Sequence, residues 1–99
     1  MKKLHAKFVE NSTKGQYHIY VFKFKMEDTK EYYYISIRFN DKVLKENEIE
    51  DTELKKISEN IAKHKFMINQ KTNRFNTSEM HDDVYINCTY DLNYYWQPT

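Results

Sequence analysis

Three residue types that usually punctuate a chain are almost missing from these 99 residues: glycine, proline and cysteine occur once each. One cysteine, Cys88, excludes an internal disulfide and any cysteine-based metal site. One glycine excludes the phosphate-cradling Walker loop and the dinucleotide fingerprint, which need several. So few breakers in a short chain predict long regular elements joined by few tight turns. No long apolar run occurs either. The opening MKKLHAKFVE alternates and is charged, which leaves no stretch for a signal peptide or a membrane span. The expectation is a cytoplasmic protein without a membrane partner and without cofactors.

Aromatic residues, by contrast, are abundant. They make up 16% of the chain, with nine tyrosines and six phenylalanines. Hydrophobic residues reach 39% and charged residues 31%, the balance of a globular chain rather than a disordered one. The length fits a single domain over 1–99, with 91–99 as a tail or strand extension. The net charge is only +1, which argues against an indiscriminate polyanion binder. Charge is unevenly spread, however. Residues 1–46 hold ten Lys/Arg against six Asp/Glu, and residues 77–99 hold four acids and no Lys or Arg.

KLHAKFVE alternates, placing Leu4, Ala6 and Phe8 on one face, and predicts a strand. NSTKG suits a hairpin turn, with Gly15 at the position needing positive φ. QYHIYVFKFK predicts a second strand and YYYISIRF, after a polar turn, a third. From about 52 to 69, Leu54, Ile57, Ile61, Lys65 and Ile68 recur at helical spacing, with acids first and Lys63, His64 and Lys65 late. VYINCTY predicts a fourth strand with Val84, Ile86, Cys88 and Tyr90 on one face. The expected fold is α+β: a four-stranded antiparallel sheet in the order β-β-β-α-β, with one amphipathic helix on one face.

Side chains in a strand alternate between faces. Tyr33, Ile35, Ile37 and Phe39 are assigned to the helix-covered face. On strand two, Ile19 and Val21 are assigned inward, leaving His18, Tyr20, Phe22 and Phe24 outward beside Tyr32, Tyr34 and Arg38. The reverse register, with Tyr20, Phe22 and Phe24 as core, is the alternative. An uncovered aromatic face calls for a cover: the C-terminal segment, a second copy in a homodimer, or a partner.

Catalytic chemistry is poorly represented. His5, His18, His64 and His81 are scattered, and the MHDD run at His81–Asp83 has no second ligand group spaced to complete a metal site. No base can be placed beside Cys88. The expected function is therefore binding, not catalysis. The predicted partner-binding residues are Tyr20, Phe22, Tyr32, Tyr34 and Arg38 on the sheet, with Tyr94, Tyr95 and Trp96 as a second group. Single-stranded nucleic acid stacked on the aromatic face is the alternative partner, and a homodimeric structural domain is a third reading.

The stretch KGQYHIYVFKFKMEDTK (residues 14–30) resembles the start of some small anti-CRISPR proteins from AT-rich phages and mobile elements. The length and the richness in Lys, Asn and Tyr are similar too. The resemblance implies an inhibitor that binds a protein target, a CRISPR effector nuclease, and blocks it by steric contact. The chain differs from the acidic, DNA-mimicking members in its net charge.

Overall fold

The computed structural model describes the backbone of residues 3–71 and 81–95 and the side chains of residues 3–69 and 81–92. Strands β1 (Leu4–Lys14), β2 (Tyr17–Met26) and β3 (Tyr33–Asn40) are followed by helices α1 (Asp41–Asn47) and α2 (Asp51–Lys71), strand β4 (His81–Ile86) and helix α3 (Thr89–Tyr95). The strands form one sheet in the order β1-β2-β3-β4. The class is α+β, as the sequence predicts, but the sheet is mixed.

β1 and β2 are antiparallel across a two-residue turn, Gly15–Gln16, with Lys14 opposite Tyr17. Gly15 has φ +61°, at the turn position that a type II′ hairpin gives to glycine. A bulge between Phe8 and Glu10 leaves Val9 without a partner and twists the edge strand. β2 and β3 are also antiparallel. β4, however, runs parallel to β3, with Tyr34 opposite His81 and Phe39 opposite Ile86. This corrects the all-antiparallel expectation. The chain leaves β3 at Asn40 and comes back through two helices to the Tyr34 end, so the next strand must run the same way.

The segment after β3 starts a helix at once. The Asn40 side chain accepts from the Lys42 N–H at 3.0 Å and caps α1. α1 ends on Glu48, at φ 48° and ψ 47°, a left-handed position without its usual glycine. α2 then carries Leu54, Ile57, Ile61, Ala62 and Phe66 into the core. Ile68, expected on that stripe from its spacing, is exposed, and Phe66 takes the inward place.

The β2 register is the reverse of the one preferred from sequence. Tyr20, Phe22 and Phe24 face the helices, exposed by 5%, 1% and 0%. They pair with Ile37, Ile35 and Tyr33 respectively. Ile19 and Val21 are apolar too, but their alternating set continues into Lys23 and Lys25 and turns outward. The gap between sheet and helix takes the larger rings: Phe24 stacks on Phe66 at 5.4 Å between centroids, and Tyr20 meets Phe39 edge-on at 6.4 Å. Tyr33 lies inward as expected, and its hydroxyl accepts from Asn69 Nδ2 at 3.4 Å. Each large side chain buried here contributes roughly 1.5–3 kcal/mol.

β4 is shorter than predicted. It stops at Ile86, and Cys88 and Tyr90 are exposed. Asp91 Oδ2 accepts from the Asn87 N–H at 3.1 Å, and Leu92 N–H donates to the Cys88 carbonyl at 3.2 Å. These contacts start α3 where the sequence predicts more strand. Leu92 joins the same core cluster as Val43 of α1 and Leu54 of α2.

Candidate binding face

All three helices send their buried apolar residues to one side of the sheet. The opposite side is built in rows by the strand register. One row runs Lys7, Lys23, Tyr34, His81 across the four strands. The next runs Glu10, Val21, Ser36, Asp83, and the one after it Ser12, Ile19, Arg38, Tyr85. His5 stands opposite Lys25 at one end, and Lys14, Tyr17 and Asn40 align at the other.

The register correction changes the character of this face. Tyr20 and Phe22, predicted to line it, lie in the core with Phe24 of the same alternating set, and His18 of that set is half-buried beside α1. Tyr32, Tyr34 and Arg38 do lie on it. Tyr94 and Tyr95 belong to the α3 backbone, but their side chains, and all of Trp96, fall outside the described residues. The odd-numbered residues of β2 take the vacated places. Ile19 and Val21 sit at the centre, Ile19 only 6% exposed, and Lys23 and Lys25 sit toward one end.

That end is cationic and aromatic together. Lys23 Nζ lies 4.6 Å, and Lys25 Nζ 5.5 Å, from the centre of the Tyr32 ring. Such contacts contribute about 0.5–1 kcal/mol at exposed sites. Lys7 stands directly opposite Lys23, a like-charge cross-strand pair that is destabilising in itself. The paired rows of Lys7 and His5 contain no carboxylate; from the rows on either side, Asp83 Oδ1 meets His81 Nε2 at 3.0 Å and Glu27 Oε2 accepts from the Lys3 N–H at 3.3 Å. Tyr34 is exposed.

The other end carries Lys14 and a self-paired cluster. Arg38 Nε lies 3.4 Å from Asp83 Oδ1, and its guanidinium carbon lies 5.6 Å from the Tyr85 ring centre. Tyr17 packs edge-on against Tyr85 at 5.5 Å, and its hydroxyl donates to Asn87 Oδ1 at 2.9 Å. Within the paired rows, among the described residues, five Lys/Arg (Lys7, Lys14, Lys23, Lys25, Arg38) oppose two carboxylates (Glu10, Asp83), so these rows are positive although the chain is nearly neutral. Once β3 is oriented, the period-two pattern of β2 carries this lysine pair; choosing the other register hides it.

One further concavity lies at the sheet–α1 junction. An open depression of about 500 Å³ is lined by Gln16, Asn40, Asp41, Lys42, Lys45 and Glu46. Beside it His18 Nε2 meets Asp41 Oδ1 at 2.6 Å, tying β2 to the first turn of α1. That contact holds the Asp41 carboxyl below its ordinary value. Among the described residues no group of three or more His, Cys, Asp or Glu is placed to hold a metal ion, and no helix is long and apolar enough to cross a membrane. The chain matches no protein-family model, no curated protein and no solved structure.

Proposed function

We propose that the protein is a non-enzymatic binding module whose open sheet face takes an anionic partner. One observation carries this reading: Lys23 and Lys25 flank the Tyr32 ring and Lys7 stands opposite Lys23, without a carboxylate in their paired rows. Repulsion between Lys7 and Lys23 weakens the bare sheet, and an anion laid across them relieves it. Rings flanked by ammonium groups form a wet, charged contact rather than the dry aromatic anchor that the sequence predicts. The test is retention by inorganic polyphosphate at low ionic strength. The wild-type chain binds and Lys23→Gln/Lys25→Gln loses most of the binding. Equal retention of both proteins would sink the assignment to this face.

A second reading follows the anti-CRISPR resemblance, in which the target is a nuclease and the contact is steric. It is favoured by the acids around the α1–α2 junction: Glu46, Glu48, Glu50, Asp51 and Glu53 are all exposed and suit a basic nucleic-acid channel. Under this reading Glu48→Gln/Glu50→Gln/Glu53→Gln abolishes inhibition of a CRISPR effector nuclease in a cleavage assay, and Lys23→Gln/Lys25→Gln retains it. The opposite ranking of the two variants would rule it out.

A further inference from the structure

We propose that the anionic partner of this face is single-stranded nucleic acid, with phosphates on Lys7, Lys23 and Lys25 and a base stacked on Tyr34. This rests on the anionic-partner reading above and narrows it.

The arrangement puts cations and an accessible ring side by side. Tyr34 stands between Lys23 of β2 and His81 of β4 in one row, and it is 38% exposed. Tyr32, one ring further along, is already flanked by the two lysines. An acidic peptide would use the lysines and leave the ring idle. A nucleic-acid strand uses both, because each repeat brings one phosphate and one flat base, and every base has a face that stacks on an aromatic side chain.

A duplex fits less well on two counts. Its bases are stacked on one another, out of reach of a ring on a flat surface. The sheet is also too broad: four strands about 4.8 Å apart span roughly 14 Å between outer strand axes, before side chains are added, against a major groove about 12 Å wide. A net charge of +1 further limits duplex affinity, which grows with the number of phosphates neutralised. Three lysines over a short path suit a short single strand.

The experiment uses the full chain and a labelled oligothymidylate of about 12 nucleotides, within the site sizes of single-strand binders. Three neutralised phosphates predict a slope of log K against log salt of about −2, so affinity falls about 20-fold between about 50 and 200 mM salt. Tyr34→Thr keeps a good strand former while removing the ring; it weakens binding at least about fivefold and leaves the salt slope unchanged. Lys23→Gln lowers the slope by about 0.7. Circular dichroism of each variant checks that the fold is retained. If the oligonucleotide binds no better than its own duplex or than polyglutamate, or if Tyr34→Thr binds as tightly as wild type, the single-strand inference is overturned and the anionic-partner reading survives. If oligonucleotide, polyphosphate and polyglutamate all fail to bind at low salt, both fall.

Discussion

Replacing Phe24 by alanine is the sharpest check on the β2 register. Phe24 is fully buried, stacks on Phe66 at 5.4 Å and lies 6.5 Å from Phe22. Truncating a buried phenylalanine removes its transfer energy and leaves a cavity, together about 3–5 kcal/mol. A chain of this size has about 5–15 kcal/mol in total, so the variant loses a large share of its stability. With a urea slope of about 1–3 kcal/mol/M, the unfolding midpoint falls by about 2 M and the slope stays unchanged. Val21 is the control on the other face. It is half-buried, and losing half the burial of its two extra carbons costs about 0.8 kcal/mol. A cycle combining Phe24→Ala with Phe66→Ala reports a coupling of about 1 kcal/mol from the stacked pair. The reasoning is refuted if Val21→Ala destabilises as much as Phe24→Ala, because the two residues would then have exchanged faces.

Three other outcomes follow from the same packing. Burial first, and then the Asp51 carboxylate, raise the Tyr20 hydroxyl above its ordinary value; because the unfolded chain ionises first, this portion of the stability is present below pH about 10 and lost above it, and Tyr20→Phe flattens the alkaline limb of a stability-against-pH curve. Asp41 behaves in the opposite sense: its carboxyl is lowered, mainly by the hydrogen bond from His18 and also by Lys45, so its stabilisation is present above pH about 4 and lost on acidification, and Asp41→Asn shows a shallower acid decline in chemical denaturation. Glu48→Gly relieves a side chain held at φ 48° and raises stability by about 0.5–1 kcal/mol, which thermal unfolding reads as a rise of a few degrees; a fall would mean that the αL cap carries no strain.

Much of the fold is legible in the residues. Gly15 marks the first hairpin, Ile35 and Ile37 fix the inner face of β3, and Leu54, Ile57 and Ile61 announce α2. The β2 register is only half legible: Ile19 and Val21 are as apolar as Tyr20, Phe22 and Phe24, and only Lys23 and Lys25, which continue the set of Ile19 and Val21, mark that set as the outer one. The non-local reason for the same choice is the depth of the space beneath α2, which takes the rings. The direction of β4 depends equally on something non-local, the path by which the helices bring the chain back to Tyr34. The strand-like CTYDLNYY becomes a helix because Asp91 and Leu92 bond back to Asn87 and Cys88, contacts that no alternation pattern reports. Of the candidate face, Tyr32, Tyr34 and Arg38 are legible through β3. The Lys23–Lys25 pair was hidden behind the same register choice that put Tyr20 and Phe22 on the surface.

The parallel pairing of β4 with β3 has a kinetic consequence. β1, β2 and β3 are sequence neighbours joined by short turns, so their ladder closes quickly through local contacts. His81 can reach Tyr34 only after both helices have laid the intervening chain across the sheet, and that closure loses entropy before any pairing rewards it. β4 is therefore expected to dock late, so truncating Val84 or Ile86 speeds unfolding while hardly slowing folding, whereas truncating Ile35 slows folding. Until β4 arrives, β3 is itself a sheet edge, and Ile35, Ile37 and Phe39 lie along it. A nascent chain halted before residue 81 thus presents its most adhesive strand to its neighbours.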